Sequence, residues 1–475
     1  MIRFLAIVRC SLVASLFLLA ACGGGGGGGS TAPAATYTIG GTVTGLSGTG
    51  LVLQNNGGDN LSVAASGTFT FAAPVAGGAN YAVTVFTRPT GQVCTVNGGT
   101  GTVAGANVTN VGVNCVVPVL MGGATNAALN LTGIVSSFTG TANTATASGA
   151  ADGASTAASF NDPFGVTSDG TNLYVADTVN NTIRKIVIAT GAVSTLAGTA
   201  GSVGATDGTG TAALFNWPMG ITTDGTNLYV TDSRNNKIRK IVIATGVVSS
   251  VTGAASKAMA AGATDGAAMA ALFNSPIAVA TDGTNLYVVD QGNNKIRQVV
   301  IATGAVSSLT GAANAAVTAG AADGAGAAAS FDTPSGVTTD GASLYVADKA
   351  NSKIRKVDIA TGVVSSLTGT ANTVMATGAA DGAAAAASFW WLGGGITTDG
   401  TNLFVVDTSN AKIRKIVLST GIVSSLTGTA NTAMPQGAAD GAATSASFSA
   451  PWGITTDGFN LYVADGLNNK IRKIQ

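Results

Sequence analysis

The side chains best able to do chemistry in this chain are aspartates. All 22 acidic residues are Asp; there is no Glu and no His. Histidine is the usual general acid or base near neutral pH and the commonest metal ligand. Its absence excludes a Ser-His-Asp triad, a Cys-His pair and the usual zinc sites. Eighteen of the 22 Asp recur at three positions. Asp169, Asp224, Asp282, Asp340, Asp399 and Asp457 each precede Gly, the chemistry of a tight hairpin. Asp177, Asp232, Asp290, Asp348, Asp407 and Asp465 end strand-like runs. There they can accept hydrogen bonds from the following turn or pair with Arg184, Arg239, Arg297, Arg355, Arg414 and Arg472. Asp152, Asp207, Asp265, Asp323, Asp381 and Asp440 stand before Ala-rich stretches, where each is expected to cap a short helix. A carboxylate ring could suit Ca²⁺, which takes oxygen ligands. Six copies of one residue speak first for the building unit, so no catalytic residue, metal or cofactor is assigned.

The elements that position these residues are repeats. Units begin at Phe160, Phe215, Phe273, Phe331 and Phe389, with a partial one at Phe448. Each reads Phe-x-x-Pro-x-Gly-Ile/Val, Thr-Asp-Gly-x-x-Leu-Tyr-Val-x-Asp, Asn-x-Lys-Ile-Arg-Lys and Ala-Thr-Gly-x-Val-Ser-Ser-Leu-Thr-Gly. Four strand-like segments per unit describe a propeller blade. The stretch Pro451 to Arg472 carries a pattern that resembles the NHL repeat family, and the resemblance runs from about Leu131 to Gln475. The last unit stops where its fourth strand is due. Thr132 to Gly140 supplies that strand, aligning with Thr420 to Gly428 at an offset of 288 that also puts Phe160 on Phe448. The expectation is an all-β chain with a six-bladed NHL-type β-propeller over 131–475.

The unit at Phe389 departs, with Trp390-Trp391-Leu392-Gly393-Gly394-Gly395 replacing the Pro and adding a Gly. Trp217, Trp390, Trp391 and Trp452 all lie at the start of a first strand, where other units hold Asp162, Ser275, Thr333 and Ala450, or Phe164, Ile277 and Ser335. Positions that vary among near-identical blades are not needed to build a blade. These four are therefore the candidate ligand-binding residues, near the channel mouth on the face of the long connections, with Trp391 and Trp452 expected to share a patch. The connections of ~18 residues between blades exceed ordinary loop lengths.

Before the repeats, residues 37–117 show short alternating runs such as Tyr81-Ala82-Val83-Thr84-Val85. They predict a small antiparallel β-sandwich that looks like the immunoglobulin-like or carboxypeptidase-regulatory-like spacers of bacterial surface proteins. Residues 118–130 read as a linker. Cys94 and Cys115 are expected to form a disulfide. At the N-terminus, Arg3 and Arg9 precede an apolar run ending in Leu19-Ala20-Ala21-Cys22, which resembles the bacterial lipobox. That resemblance implies a signal peptide over 1–21, removal of it, and lipidation of Cys22. Residues 22–36, with Gly23 to Gly29, then form a flexible tether. Position 23 is Gly and not Asp, which resembles the outer-membrane-directed pattern.

Charged residues make up only 9% of the chain and balance to zero net charge, so nucleic acid is not an expected partner. The Lys-Ile-Arg-Lys stripes recur once per blade and are matched by the repeat Asp. The function expected is a non-catalytic, monomeric, envelope-anchored platform that binds protein, peptide or glycan. The alternatives are an extracytoplasmic enzyme of lyase or lactonase type, whose known sites use His or Glu with metal, and a purely structural envelope protein.

Overall fold

The computed structural model describes residues 35–46, 50–87, 89, 93–116 and 128–475. Residues 1–21, Cys22 and most of the expected tether and linker lie outside these. Among the described residues no helix is long and apolar enough to cross a membrane.

The N-terminal region is two four-stranded sheets over one core. One sheet runs Gly67–Thr70, Ile39–Thr44, Val108–Val116, Val93–Asn97; the other runs Asp59–Val63, Leu51–Asn55, Asn80–Thr87, Thr100–Thr102. Alternation puts Ile39, Val43, Leu53, Phe69, Val83, Val111 and Val113 inside. The pairing is not wholly antiparallel as the runs suggested: Ile39–Thr44 lies parallel to Val108–Val116. The last strand comes in beside the first, and Gly41 lets the backbones meet there. A Cβ on it would lie 1.7 Å from the Val111 carbonyl oxygen. Cys94 and Cys115 sit directly opposite on neighbouring strands and are disulfide-bonded.

From residue 128 onward the chain builds six antiparallel sheets of four principal strands. Blade 1 comprises Pro163–Ser168, Asn172–Asp177, Thr182–Val187 and Val193–Ala197. Blades 2 to 5 start at Pro218–Thr223, Pro276–Thr281, Pro334–Thr339 and Leu392–Thr398, and blade 6 at Pro451–Thr456. First strands of successive blades touch in order, and that of blade 6 touches that of blade 1, so the ring closes. Its seam joins the two ends of the repeat region: Ile134–Ser137 pairs with Lys470–Ile474, Val135 opposite Ile474 and Ser137 opposite Arg472. This pairing covers what would otherwise be an exposed sheet edge.

Second strands such as Leu173-Tyr174-Val175-Ala176-Asp177 are buried on both faces, because each blade is sandwiched between two others. The cores lie between blades; one combines Tyr174 and Ala176 of blade 1 with Ile221, Leu228 and Val230 of blade 2. Contrary to the capping expectation, the Ala-rich connections hold no α-helix. A single turn forms, with Ala158 donating to the Ala154 carbonyl, before buried Phe160 draws the chain into the blade. A short 3-10 turn in the connection to blade 2, Gly210–Ala212, has no side-chain cap.

Candidate functional site

Most of the aspartates are structural. In every blade the third-strand Arg is wholly buried between two carboxylates. Arg184 Nη1 donates to Asp177 and Nη2 to Asp152, and the six copies span 2.8–2.9 Å for the first contact and 2.5–2.7 Å for the second. The same guanidinium holds the backbone carbonyls of Ser159 and Ala151 and lies 5.0 Å from the Phe160 ring centroid. The Asp152 series thus clamps the connection to the blade instead of capping helices. A buried guanidinium needs acceptors in a plane more than a helix terminus needs a cap. Burial pushes Asp177 and Asp348 up to about 6, against the pull of the backbone N–H, Asn and Arg that donate to each. Asp232, Asp290, Asp407 and Asp465 are raised for the same reason.

The hairpin aspartates form Asx turns. Asp169 Oδ1 accepts from the N–H groups of Thr171 and Asn172, and Oδ2 from the Tyr174 hydroxyl at 2.8 Å. These donors outweigh burial and hold Asp169 and Asp224 below the usual carboxylate range. The first lysine of each basic stripe is also consumed internally. Lys237, Lys295 and their counterparts are buried and donate to connection carbonyls, such as those of Ala254 and Lys257.

A second set of contacts, not foreseen from the sequence, joins neighbouring blades. Asn181, Asn236, Asn294 and Asn469 each accept a hydrogen bond from the N–H two residues past the next blade's Phe: Trp217, Ser275, Thr333 and Asp162. The recurrent Asn-Asn before Lys-Ile-Arg was the available signal. Each of these Asn has a positive φ of 51–57°, a conformation Asn tolerates well.

The structure separates the four tryptophans. Trp217 and Trp391 occupy the blade position that always has positive φ, 55° and 56°, which for a bulky side chain is a sterically disfavoured backbone. Trp217 is half-buried with the Arg234 guanidinium 3.6 Å from its ring centroid. Trp391 is 49% exposed with Lys349 Nζ of blade 4 at 4.5 Å. Trp390 is 48% exposed, and its N–H donates to Asp407. Trp452 differs in kind. It lies inside the first strand, stacks on Phe164 at 5.2 Å and 23°, and its Nε1–H donates to Asp162 at 2.9 Å. The expected patch of Trp391 with Trp452 is not formed by ring contact among the described residues. Trp391 is turned toward Lys349 in the preceding blade's turn, and Trp452 toward Phe164 and Asp162 of blade 1.

Along the axis runs a narrow channel with an aliphatic waist of Val166, Ile221, Val279, Val337, Ile396 and Ile454. Toward the long connections lies a chamber of about 60 Å³ bounded by Phe164, Ile277 and Gly394. Phe164 reaches over this end, since a Cβ at Gly394 of blade 5 would lie 3.6 Å from its Cζ. Toward the Asp-Gly hairpins the channel widens to about 90 Å³, lined by Thr167, Thr222, Thr338, Thr397 and Thr455, with Ala280 in the sixth place. The repeated Thr-Thr-Asp-Gly carries these hydroxyls, but repetition along the chain does not show that they converge. No group of His, Cys, Asp and Glu able to hold a metal ion occurs among the described residues.

No family model matches the chain. It is 30% identical over 284 residues to the chloroplastic protein SUPPRESSOR OF QUENCHING 1 of Arabidopsis thaliana, covering 57% of this chain and 26% of that protein. It is 29% identical over 308 residues to human NHL repeat-containing protein 2, covering 58% of this chain and 42% of that one. The chain thus spans less than half the length of these relatives. Among solved structures, an auxiliary nutrient binding protein of Bacteroides thetaiotaomicron matches with a TM-score of 0.53 at 14% identity, over 90% of both chains. A protein of unknown function from the same organism matches with 0.53 at 18%, over 89% of this chain and 90% of that one. The repeat region is an NHL-type β-propeller, homologous to the repeats of NHL repeat-containing protein 2.

Proposed function

We propose that this protein is a non-catalytic binding platform, lipid-anchored through Cys22 outside the cytoplasm, that engages a protein, peptide or glycan through the blade 4–5 side of the long-connection face. The observation that carries the reading is Trp391. A bulky aromatic is held in a disfavoured left-handed conformation, half-exposed, beside equally exposed Trp390 and over Lys349. Strain of this kind persists where the surrounding structure imposes it and marks places worth testing for function. The same position in blade 4 is Thr333 and in blade 6 Ala450, so the blade does not need the indole. Burial holds the Lys349 ammonium pKa below the ordinary lysine range, and it offers a cation beside the rings. The solved neighbours include proteins named auxiliary nutrient binding proteins, which agrees with a binding role.

The test is photo-crosslinking from position 390 in intact cells, comparing the native chain with Trp391→Ala. Adducts that depend on Trp391, while the thermal transition shifts by only a few degrees, support the platform. Unchanged adducts, or confirmed turnover of a lyase or lactonase substrate, overturn it. Cys22→Ser tests the anchor: the variant should leave the membrane fraction and fail to take up labelled fatty acid.

A further inference from the structure

The hydroxyl ring at the opposite end of the channel has no role in the blades. Thr167, Thr222 and Thr455 are only 5–7% exposed, line the axial cavity, and their hydroxyls form no hydrogen bond to protein among the described residues. The next residues along the strand behave otherwise: Thr223, Thr281, Thr339 and Thr398 bridge to the carbonyls of Asn227, Asn285, Ser343 and Asn402. Open to the cavity and unused by the blade, these hydroxyls are free to bond water or a ligand there. Here several converge on one pit of about 90 Å³ that narrows behind to the aliphatic waist.

The chemistry of the pit selects its guest. No charged side chain lines it, so nothing there would compensate a desolvated ion. Each hydroxyl can donate and accept, which matches a neutral group that does both. The volume fits a few heavy atoms and excludes a whole sugar ring. The hairpins on this face add a second observation. Where five blades carry Thr171, Thr226, Thr284, Ala342 and Thr401 after the Asp-Gly, blade 6 carries Phe459, 78% exposed at the hairpin tip just beyond Thr455. An exposed apolar ring on the same face as a hydroxyl-lined pit suits a carbohydrate, with the sugar face on the aromatic and a hydroxyl arm in the pit.

We infer that the hairpin-side mouth of the propeller is a carbohydrate site, admitting the exocyclic hydroxymethyl or terminal diol of a sugar into the threonine ring while the pyranose rests on Phe459. It lies on the face opposite Trp391 and stands independently of the platform proposed there. The experiment is saturation-transfer NMR on the full chain with methyl β-glucopyranoside and glycerol as probes. Saturation should be strongest at the C6 methylene of the glucoside. Thr167→Val should raise the Kd by about 3- to 10-fold, the range for one lost hydrogen bond. Thr167→Val/Thr222→Val/Thr455→Val should abolish binding with the thermal transition retained. Phe459→Ala should weaken the glucoside more than glycerol, and Trp391→Ala should change neither. Ala280→Thr, which adds the sixth hydroxyl, serves as a second variant and should also alter the affinity. Absence of transfer, transfer spread evenly over the sugar, or transfer indifferent to the threonine variants would overturn the site and show a pit that holds water alone.

Discussion

Blades 5 and 3, which flank blade 4 on its two sides, share the same skeleton and differ in how they are joined to the rest of the ring. Both keep the buried Arg between two Asp and the Phe beneath it: Arg414 with Asp381, Asp407 and Phe389, and Arg297 with Asp265, Asp290 and Phe273. Blade 3 is tied on both sides by asparagines, Asn236 to Ser275 and Asn294 to Thr333. Blade 5 faces Ser352 on one side and offers Ala411 on the other, at the same left-handed positions. It has Leu392 in place of Pro, an inserted Gly, and Phe404 in place of the hairpin-bonding Tyr. The missing phenol leaves Asp399 Oδ2 open, and it accepts instead the N–H of Leu129 at 3.0 Å, from the segment leading into the propeller. Leu129 and Leu131 then pack against the core shared by blades 5 and 6. The lesson is that the interior of a blade tolerates little change, whereas its seams and faces are where this chain has diverged.

That contrast can be broken most forcefully at the shared skeleton. Arg297→Ala and Arg414→Ala should each destabilise by about 3–5 kcal/mol, because each leaves buried carboxylates without their cation. Near-equal losses in chemical denaturation are expected; a much smaller loss in blade 5 would show that its interior has drifted too. Deleting residues 131–140 should destabilise to a similar degree, several kcal/mol, by stripping blade 6 of its outer strand. An unchanged melting transition would contradict that closure.

The seams should respond more gently. Asn294→Ala should lower stability by about 1–2 kcal/mol, losing its bonds to Thr333 and Val317 at a backbone that suits Asn. Ala411→Asn should be neutral or stabilising by up to about 1 kcal/mol, since it restores the favoured residue at a φ of 51°. The two changes having the same sign would undo the seam comparison. Phe404→Tyr should alter stability least, yet its hydroxyl should compete for Asp399 and speed exchange of the Leu129 amide, read by hydrogen–deuterium exchange.

The two classes of Asp also separate in pH. A carboxylate raised in the folded state, as Asp177 and Asp348 are to about 6, favours folding below its unfolded value and loses that contribution as pH rises through about 6. The depressed hairpin Asp169 and Asp224 contribute stability above their ordinary value and lose it as pH falls below roughly 4. The melting temperature should therefore hold or rise slightly from pH 7 to 5 and fall below pH 4. A steady decline from pH 7 downward would contradict the upward direction for the buried set.

The sequence by itself determined the strand-rich repeat, the Asp-Gly hairpins and the pairing of the repeat region's two ends, because each rests on local pattern or on a constant offset along the chain. The link of Asp177 to Arg184 was within reach too, since seven residues across a hairpin bring the two side chains together. It also named the disulfide partners, Cys94 and Cys115, which the fold sets opposite each other. Only the tertiary structure decided what depends on contact between distant segments. Asp152 bonds to Arg184 across 32 residues instead of capping a helix, and Asp399 takes Leu129 across 270. The parallel pairing of Ile39–Thr44 with Val108–Val116 is of the same kind. The tryptophans were visible as breaks in the repeat, but their directions follow from backbone conformation and the neighbouring blade. One turns to Phe164 and Asp162, another to Lys349. The threonine ring needed six strands to meet on one axis. A residue's repetition can be read along a chain, but its convergence is a property of the closed ring.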